Sequence, residues 1–479
     1  MAKIKDTKQP WGYSWRSSSV FTTVCIITAL FAETFVHGFV VPILPYILEN
    51  RNHVDPADTQ QLTYMVLTVY GAAAVAAGPL VGQLTDRVKS RKVILVIGLG
   101  VALIGTATLA TSTNLIDVFI GRSLQAVGST IAQVVGHATL NDVIEPKKMG
   151  MVLGLVNTFV SAGAFSGPAI AGFMLEYVGY WATWLTVLVV LALDIVLRLV
   201  MIEPPKKKGK HAKAGDEESR VANTQSEGET ETSALLAGTP ARSYTTATDI
   251  YSDITTSSKS ILAFYRIILS QPMVIIGLVS YMTRSSLMAS FNTTLPTHVR
   301  DVFGWGSFPA GMMFVGLQAP AIILNPLCEW IRGKTGNKLL TGLGFILLGP
   351  LLWLLGVVDQ EQFPWSGDEN MTKVVYVIVI ICIGCVQNLP ANVGATEITS
   401  VIDNLESQFP GIFGPGGGHS QGHSLSHGSF NIGQLVGPLL SGALADNLGY
   451  DQMNSTLCGI CFVTSILAIC FMGGKSSLR

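Results

Sequence analysis

Residues 167–180, GPAIAGFMLEYVGY, are matched 270 residues later by GPLLSGALADNLGY at 437–450. Glycine, proline, glycine, glycine and tyrosine occupy the same places in both stretches, and Gly163 matches Gly433 in the same register. Because so many positions agree at one constant offset, chance is a poor explanation. The chain is therefore predicted to contain two related halves, with these stretches at the same place in each.

The composition indicates a protein that is embedded in a membrane. Of its 479 residues, 49% are hydrophobic and 13% are charged, which is about half the charged share of a soluble domain. The mean hydropathy is +0.47. A net charge of −1 offers no attraction to nucleic acid. Cysteines such as Cys382 and Cys385 lie in apolar runs, which predicts core packing rather than disulfides.

Twelve runs of about 20 apolar residues predict membrane-spanning helices. They cover approximately 20–44, 62–84, 93–111, 115–137, 151–174, 181–202, 272–296, 309–331, 338–358, 374–397, 428–445 and 455–473. The polar segment 203–266 divides them into two sets of six. We therefore expect an all-α membrane protein with twelve transmembrane helices in two pseudo-symmetric six-helix lobes.

The same pattern divides the chain into five regions. The lobes cover 20–202 and 267–474, and the loop at 203–266 is predicted to be disordered and cytoplasmic because it is rich in Lys, Glu, Ser, Thr and Gly. The tails are 1–19 and 475–479. Placing both tails in the cytoplasm puts 24 of the 30 lysines and arginines on that side, and only Arg51, Arg300 and Lys373 in outer loops.

The repeated stretches fall on spans five and eleven, which hold the same place in their lobes. Parallel repeats of this kind build transporters from two six-helix halves. Glycine every fourth residue lets helices approach closely, and a proline loosens the helix. Ordinary small-residue packing is the simpler reading, but it does not explain the shared register. The predicted helix-packing motif comprises Gly163, Gly167, Pro168, Gly172, Gly433, Gly437, Pro438 and Gly442.

Three motifs in the first half resemble those of the major facilitator superfamily. The G-x3-GP-x3-G pattern on span five resembles its antiporter motif. Residues 82–92, GQLTDRVKSRK, resemble its signature G-x-L-A-D-R-x-G-R-K, and residues 122–128, RSLQAVG, resemble its R-x-x-Q-G-x-G motif. The resemblance extends over all twelve spans. It implies a two-lobed secondary transporter and ties Arg122 to proton coupling.

A narrower resemblance lies in span one, at residues 33–45, ETFVHGFVVPILP. Vesicular amine transporters and related drug/proton antiporters, many of them fungal, have an acidic residue followed at this distance by VPI-[IL]-P. The C-terminal half departs from the amine transporters, since span seven has Asn292 where related chains often carry a carboxylate. The resemblance implies that amphipathic or cationic compounds are exported in exchange for protons.

Glu33 is the leading candidate for the coupling residue because a charge within a span is costly and usually faces a cavity or a partner. His37 lies one turn further along the same helix face. A carboxylate in such a site can bind a proton and a cation alternately. The competing reading is a structural pair between Glu33 and an arginine of a neighbouring helix.

Five further charges within or at the ends of spans are candidates. Arg122 either biases a nearby carboxylate, as the resemblance implies, or tethers helices by donating to backbone carbonyls. Asp194 and Arg198, four residues apart, are predicted to form an intrahelical pair, with Arg198 reaching to the membrane surface. Arg284 is expected to contact an anionic substrate or to balance Glu33. Glu397 either pairs with Arg284 or serves a cytoplasmic gate.

The loop between spans two and three predicts a gate at the cytoplasmic mouth. A carboxylate at a helix end can pair with arginines and helix dipoles in one conformation only, which makes a bistable latch. The charges also fix topology, whichever role they play. The predicted gate residues are Gly82, Asp86, Arg87 and Arg91. In the second half the aspartate position is Gly333, so we expect the latch to be stronger in the first.

Three short patterns indicate processing or binding. Residues 231–236, ETSALL, fit the acidic dileucine form, so sorting adaptors could bind the 203–266 loop and direct the protein to vacuolar or vesicular membranes rather than the plasma membrane. Asn370 and Asn454 lie in glycosylation sequons on the predicted outer face. His419, His423 and His427 are spaced like metal ligands, but glycines around them predict a loop over 403–426 rather than a rigid ligand-bearing helix.

Together these features predict a monomeric, proton-coupled secondary transporter that works by alternating access. The expected partners are a small-molecule substrate, protons and the lipid bilayer, with no nucleic acid and no cofactor. The phosphate-binding pattern GxxxxGK[ST] is absent, so ATP drive and enzymatic activity are not predicted. Two other readings stay open: proton-coupled uptake of a small solute, and a transport-dead sensor or scaffold.

Overall fold

The computed structural model describes residues 11–87, 90–144, 146–202, 261–360, 368–409, 412–413 and 418–472. The predicted dileucine signal, most of the central loop and most of both tails lie outside the described residues. Within the described part, long helices follow one another and no strand occurs.

Six long helices build the first lobe. Helix α1 covers Ser19–Arg51, and it is interrupted at Pro42 by a 3₁₀ turn before it continues to a π-helical end. The others are α2 (Thr59–Arg87), α3 (Arg91–Ala110), α4 (Leu115–Val143), α5 (Pro146–Tyr177) and α6 (Tyr180–Val200). Phe35, Phe39 and Trp184 are among the buried side chains of its core.

The second lobe repeats this arrangement after a short helix at Ile261–Leu269. Its helices are α7 (Pro272–Phe303), α8 (Ser307–Thr335, with a break before Pro320), α9 (Asn337–Val357), α10 (Glu369–Val386 and Val393–Gln408), α11 (His419–Leu448) and α12 (Tyr450–Phe471). The break in α10 contains Pro390 and ends at Asn392, whose φ is 57°. Phe345, Leu352 and Tyr376 lie in the core of this lobe.

Ten of these twelve helices are long and apolar enough to cross a membrane. The other two, α4 and α11, carry polar side chains that face the interior of the bundle, which lowers their hydropathy. The predicted all-α, multi-pass membrane fold is confirmed, and the described helices are consistent with the predicted count of twelve.

The prediction of a loop over 403–426 is wrong at both ends. Helix α10 continues to Gln408, and α11 begins at His419. Gly422, near the start of α11, serves close packing rather than chain freedom. A Cβ on Gly422 would lie 2.6 Å from the side chain of Ile398, so glycine lets α11 pack against α10.

The repeated glycine motif explains how the lobes are assembled. In α5, Gly163 and Gly167 touch the backbone of α1, and in α11, Gly433 and Gly437 touch the backbone of α7. The outer glycine of each motif instead meets the opposite lobe: Gly172 contacts α8. Correspondingly, Gly442 contacts Tyr64 of α2. Each motif helix therefore joins its own lobe to the other, in pseudo-symmetric fashion.

Candidate functional site

A cavity of about 1440 Å³ lies between the two lobes. Its walls come from the middle of α1 and from the middle and one half of seven other helices: α2, α4, α5, α7, α8, α10 and α11. The lining reaches Arg91, at the start of α3, and Asp403, near the end of α10. Towards the opposite end it stops at the level of Gly38 and Asn292. The cavity therefore extends to the end of the bundle that is predicted to be cytoplasmic.

At the opposite end, polar contacts join the lobes. Arg300 of α7 donates from Nη1 to the Glu49 carboxylate of α1 at 2.6 Å, and the Thr59 hydroxyl donates to the same oxygen at 2.7 Å. The hydroxyl of Thr297 also donates to the side chain of Gln60. We call Glu49, Thr59 and Arg300 the outer latch. The sequence did not predict this set, because nothing near Glu49 or Arg300 identifies the other as its partner.

Glu33 faces the cavity from α1 and is held by α4. Gln133 donates from Nε2 to the Glu33 carboxylate at 2.5 Å, and Ser129 donates to its other oxygen. Among the described residues no arginine or lysine forms an ion pair with Glu33, so the structural arginine pair is not what is found. A half-buried carboxylate that is hydrogen-bonded but has no counter-ion can accept a proton or a cationic ligand.

Behind Glu33, the Tyr70 ring lies between two other candidate residues, His37 and Arg122. The rings of His37 and Tyr70 lie 4.7 Å apart between centroids, and the Arg122 guanidinium lies 4.6 Å from the Tyr70 centroid. Such a cation–π contact partly compensates a charge that is fully buried. Arg122 is therefore connected to the cavity through Tyr70 and His37 rather than by direct contact with Glu33.

The hydrogen bonds of Arg122 go to a side chain. Its Nη1 donates to Gln125 at 2.9 Å, and Gln125 donates to Thr106 at 2.9 Å. Its Nε and Nη2 have no hydrogen-bond partner among the described residues, so the backbone-tethering role is not observed. Nearby, a void of about 20 Å³ is lined by Glu33, His37, Tyr70, Gln125 and Ser129 with apolar neighbours. This volume is sufficient for one water molecule.

Arg284 and Glu397 do not pair with each other. Arg284 lines the cavity from α7 and donates from Nε to the Gln387 carbonyl oxygen at 3.2 Å, at the break in α10. Glu397 is buried, accepts from Asn337 at 2.8 Å and packs against Gly277. The predicted pairing is therefore wrong: Arg284 belongs to the cavity, and Glu397 belongs to the packing of α7, α9 and α10.

Two of the four predicted gate residues, Gly82 and Arg91, have surroundings that the structure describes. Arg91 pairs with Asp142 at 2.8 Å and also donates to the Ala138 carbonyl, which ties the start of α3 to the end of α4. Gly82 lines the cavity mouth. The side chains of Asp86 and Arg87 lie outside what the structure describes, so their role stays a prediction.

The second lobe has an ionic arrangement of its own at this end. Glu329 pairs with Arg332 at 2.7 Å and accepts from Asn392 at 3.2 Å, which joins α8 to α10. Arg332 also donates to the Leu389 carbonyl at 2.8 Å. These charges precede Gly333, so the second lobe keeps an ion pair at this end although it lacks the motif aspartate.

Two predictions fail because the side chains concerned are buried: that Arg198 reaches the membrane surface, and that Asn454 is available for glycosylation. Asp194 and Arg198 lie 3.8 Å apart within α6, but both are fully buried, so Arg198 does not reach the membrane surface. Asn454 is also fully buried in α12, where its amide donates to the Tyr450 carbonyl at 2.9 Å. An amide in this position is inaccessible to glycosylation enzymes, whereas Asn370 is exposed at the start of α10.

Histidines from both lobes meet in the cavity. His137 of α4 and His423 of α11 have ring centroids 5.3 Å apart, and His427 stacks on Phe430 at 6.2 Å. His419 instead points to Asp403, 3.4 Å away. Among the described residues no group of three histidine, cysteine or acidic side chains has an arrangement that fits a metal ion.

Comparisons with known proteins agree with this architecture. The family model of the Major Facilitator Superfamily matches residues 26–403. The chain is 26% identical to the MFS-type transporter ppzB of Metarhizium rileyi over 98% of both chains. It is 21% identical to the vesicular acetylcholine transporter of Torpedo marmorata, over 79% of this chain and 61% of that protein. A D-xylose–proton symporter has the same fold, with a TM-score of 0.67, 12% identity and coverage of 96% and 99%.

Proposed function

The chain belongs to the major facilitator superfamily and is a membrane transporter rather than an enzyme, and from this premise we propose that it exports small amphipathic compounds with a cationic centre in exchange for protons. The observation that carries this proposal is Glu33, a carboxylate that lines the cavity between the lobes with hydrogen bonds but with no ion pair among the described residues.

Alternating access follows from the arrangement of the lobes. The cavity reaches one end of the bundle, while the outer latch closes the other. Rocking of the two lobes about the cavity would break the outer latch and bring the opposite ends together. Gly172 of α5 and Gly442 of α11 lie where the two lobes touch, and glycine at these places allows close contact between the surfaces that would move.

We assign the coupling of substrate transport to proton transport to the Glu33 carboxylate, for which the substrate and the proton compete. When Glu33 is ionised it attracts a cationic centre, and when it is protonated this attraction is lost. Ser129 and Gln133 orient the carboxylate towards the cavity. His37, Tyr70 and Arg122 form the wall behind it.

The membrane in which the protein resides is part of this proposal. Relatives include vesicular acetylcholine transporters. The lumen of a vesicle is topologically equivalent to the outside of the cell, so transport into a vesicle and export from the cell have the same direction relative to the cytoplasm. We place the chain in the plasma membrane, with a vacuolar or vesicular membrane as the competing location. Fluorescence microscopy of the full-length, tagged chain in its host distinguishes the two.

The test uses purified full-length protein in proteoliposomes with an imposed pH gradient. A panel of amphipathic amines, with and without an acidic group, is supplied while solute and proton fluxes are followed. We expect gradient-driven flux in the wild type and a loss of about tenfold or more in Glu33→Gln, equivalent to about 1.4 kcal/mol.

The matched control is Glu369→Gln, which removes an exposed carboxylate that pairs with Lys373 at 2.6 Å outside the cavity. Flux in this variant should equal that of the wild type. The proposal is contradicted if no compound moves in a gradient-dependent manner, or if Glu33→Gln and Glu369→Gln transport equally well.

A further inference from the structure

The charges that line the cavity are mostly paired. Five acidic or basic side chains contribute to its wall: Glu33, Arg91, Arg284, Glu329 and Asp403. Three of them have ionisable partners: Arg91 forms an ion pair with Asp142, Glu329 forms one with Arg332, and Asp403 lies 3.4 Å from the His419 ring. Of the described charges in this wall, Glu33 and Arg284 are the two that have no ionisable partner within ion-pair distance, and they lie in opposite lobes.

Arg284 projects from a helix face that is directed into the cavity. Tyr281, Arg284, Met288 and Asn292 all line it, and their spacing of three, four and four residues places them on one side of α7. The Tyr281 ring lies 5.6 Å from the Phe430 ring of α11, so an aromatic wall stands beside the guanidinium. This side of the cavity offers a fixed cation next to a surface for an apolar ligand group.

The structural role of Arg284 at the break in α10 uses only one of the three nitrogen atoms of its guanidinium. The break in α10 leaves carbonyl groups without helical partners, and the Nε of Arg284 satisfies the Gln387 carbonyl at 3.2 Å. A carbonyl at a helix end carries only a fraction of a negative charge. The two Nη groups have no acceptor among the described residues. They form the planar fork that suits a carboxylate or phosphate.

The carboxylate and the guanidinium together make the cavity bipolar. A ligand with a single positive charge would satisfy Glu33 but would leave Arg284 unpaired in a site of low dielectric constant. A ligand with both charges would satisfy each wall, because unpaired charges are costly when water is displaced. The opposite placement of the two residues therefore favours a dipolar ligand over either simple ion.

From this geometry we infer that the preferred substrate is a zwitterion, in which a cationic amine faces Glu33 of the first lobe and an acidic group faces Arg284 of the second. This inference rests on the proposed transport function and names the substrate class of the same cavity. Such a ligand also connects the two lobes, so its binding favours a state in which both walls are close to it.

The test measures binding, which needs no transport. Three probes share one aromatic scaffold: the dipeptide Phe-Phe, its C-terminal amide and its N-acetyl derivative, which are a zwitterion, a cation and an anion at neutral pH. Their ability to stabilise the purified full-length protein against heat is measured over a concentration series. We expect Phe-Phe to bind about tenfold or more tightly than either derivative, a difference of about 1.4 kcal/mol.

Variants assign each charge to its wall. Arg284→Gln should reduce Phe-Phe binding to the level of the amide, and Glu33→Gln should reduce it to the level of the N-acetyl form. Arg284→Lys keeps the charge and should retain part of the preference. Glu369→Gln is the matched control, because it removes an exposed carboxylate that pairs with Lys373 at 2.6 Å outside the cavity. It should leave the order of the three probes unchanged.

The inference is overturned if the amide binds as tightly as Phe-Phe, or if no probe stabilises the protein at millimolar concentration. It is also overturned if each single variant loses stability, the Glu33→Gln/Arg284→Gln double variant regains it, and the three probes never differ. That result would mean that the two charges only balance each other. Gradient-driven flux of simple amines together with no zwitterion preference would reject this inference and leave the proposed function standing.

Discussion

The outer latch allows a quantitative test of the closed end of the cavity. Arg300 and Glu49 join α7 to α1 across the lobes at 2.6 Å, and their side chains are 31% and 21% exposed. We predict that removing either charge shifts the protein towards a state that is open at this end. The variants are Glu49→Gln, Arg300→Gln and the combination of both.

The magnitude follows from the exposure of the pair. Charge centres about 4 Å apart attract each other by about 4 kcal/mol at the effective dielectric constant near a protein surface. Desolvation and lost side-chain freedom offset most of this, so fully exposed pairs contribute only about 0.2–1 kcal/mol. For a pair that is about three-quarters buried, we expect about 1–2 kcal/mol, which changes the conformational equilibrium by a factor of about 5–30.

The assay measures access to the cavity from the outer side. A cysteine is introduced at Asn292, which lines the cavity at the level nearest the outer latch, in a chain whose exposed Cys385 and Cys470 are replaced by serine. The rate of labelling by a membrane-impermeant thiol reagent, added outside, should rise about 5- to 30-fold in either single variant. The double variant should show no further increase, because the same interaction is lost.

The matched control is Asp301→Asn. Asp301 accepts from Arg300 at 3.0 Å but belongs to the same lobe, so its removal breaks an ion pair without separating the lobes. Labelling should remain at the wild-type rate. If Glu49→Gln labels no faster than Asp301→Asn, the outer latch does not hold this end closed and the reasoning fails.

Two further predictions concern packing and processing. Gly437→Ala places a Cβ about 2.5 Å from the Ser286 carbonyl oxygen of α7, so it should destabilise the protein by about 1–3 kcal/mol and lower its melting temperature. In the control, Gly459→Ala, the new Cβ meets open space, and the free energy of unfolding should change by no more than about 0.5 kcal/mol. Equal melting temperatures would refute the role given to the repeated motif. Asn370→Gln should abolish any shift in mobility that a glycosidase produces, and Asn454→Gln should not alter it, because Asn454 is buried. A glycan attached to Asn454 would show that the packing of α12 is wrong.

The membrane fold could be predicted because its signal is local. Each span is a continuous apolar run, and the lysines and arginines between the runs are distributed unevenly. The repeated glycine motif added the relation between the lobes, since its two copies fall on α5 and α11. Glu33 was found for the same reason, because a carboxylate within an apolar run is visible without tertiary contacts.

What the sequence could not predict depends on contacts between distant segments. Glu49 and Arg300 are 251 positions apart, and nothing near either residue identifies its partner. The start of α11 was misread because Gly422 resembles a loop glycine until Ile398 is seen packed against it. Asn454 lies in a valid sequon, but helix packing buries it. Local patterns specified the helices, whereas burial and pairing required the folded bundle.

The exchange of a proton for substrate at Glu33 can be measured as the number of protons that the protein releases when substrate binds. Purified full-length protein in weakly buffered solution is mixed with the compound that it transports fastest in the proteoliposome panel, and the proton release is recorded. The wild type should release protons when the compound binds, and Glu33→Gln should release none at concentrations that saturate it. Equal release from both proteins would contradict the claim.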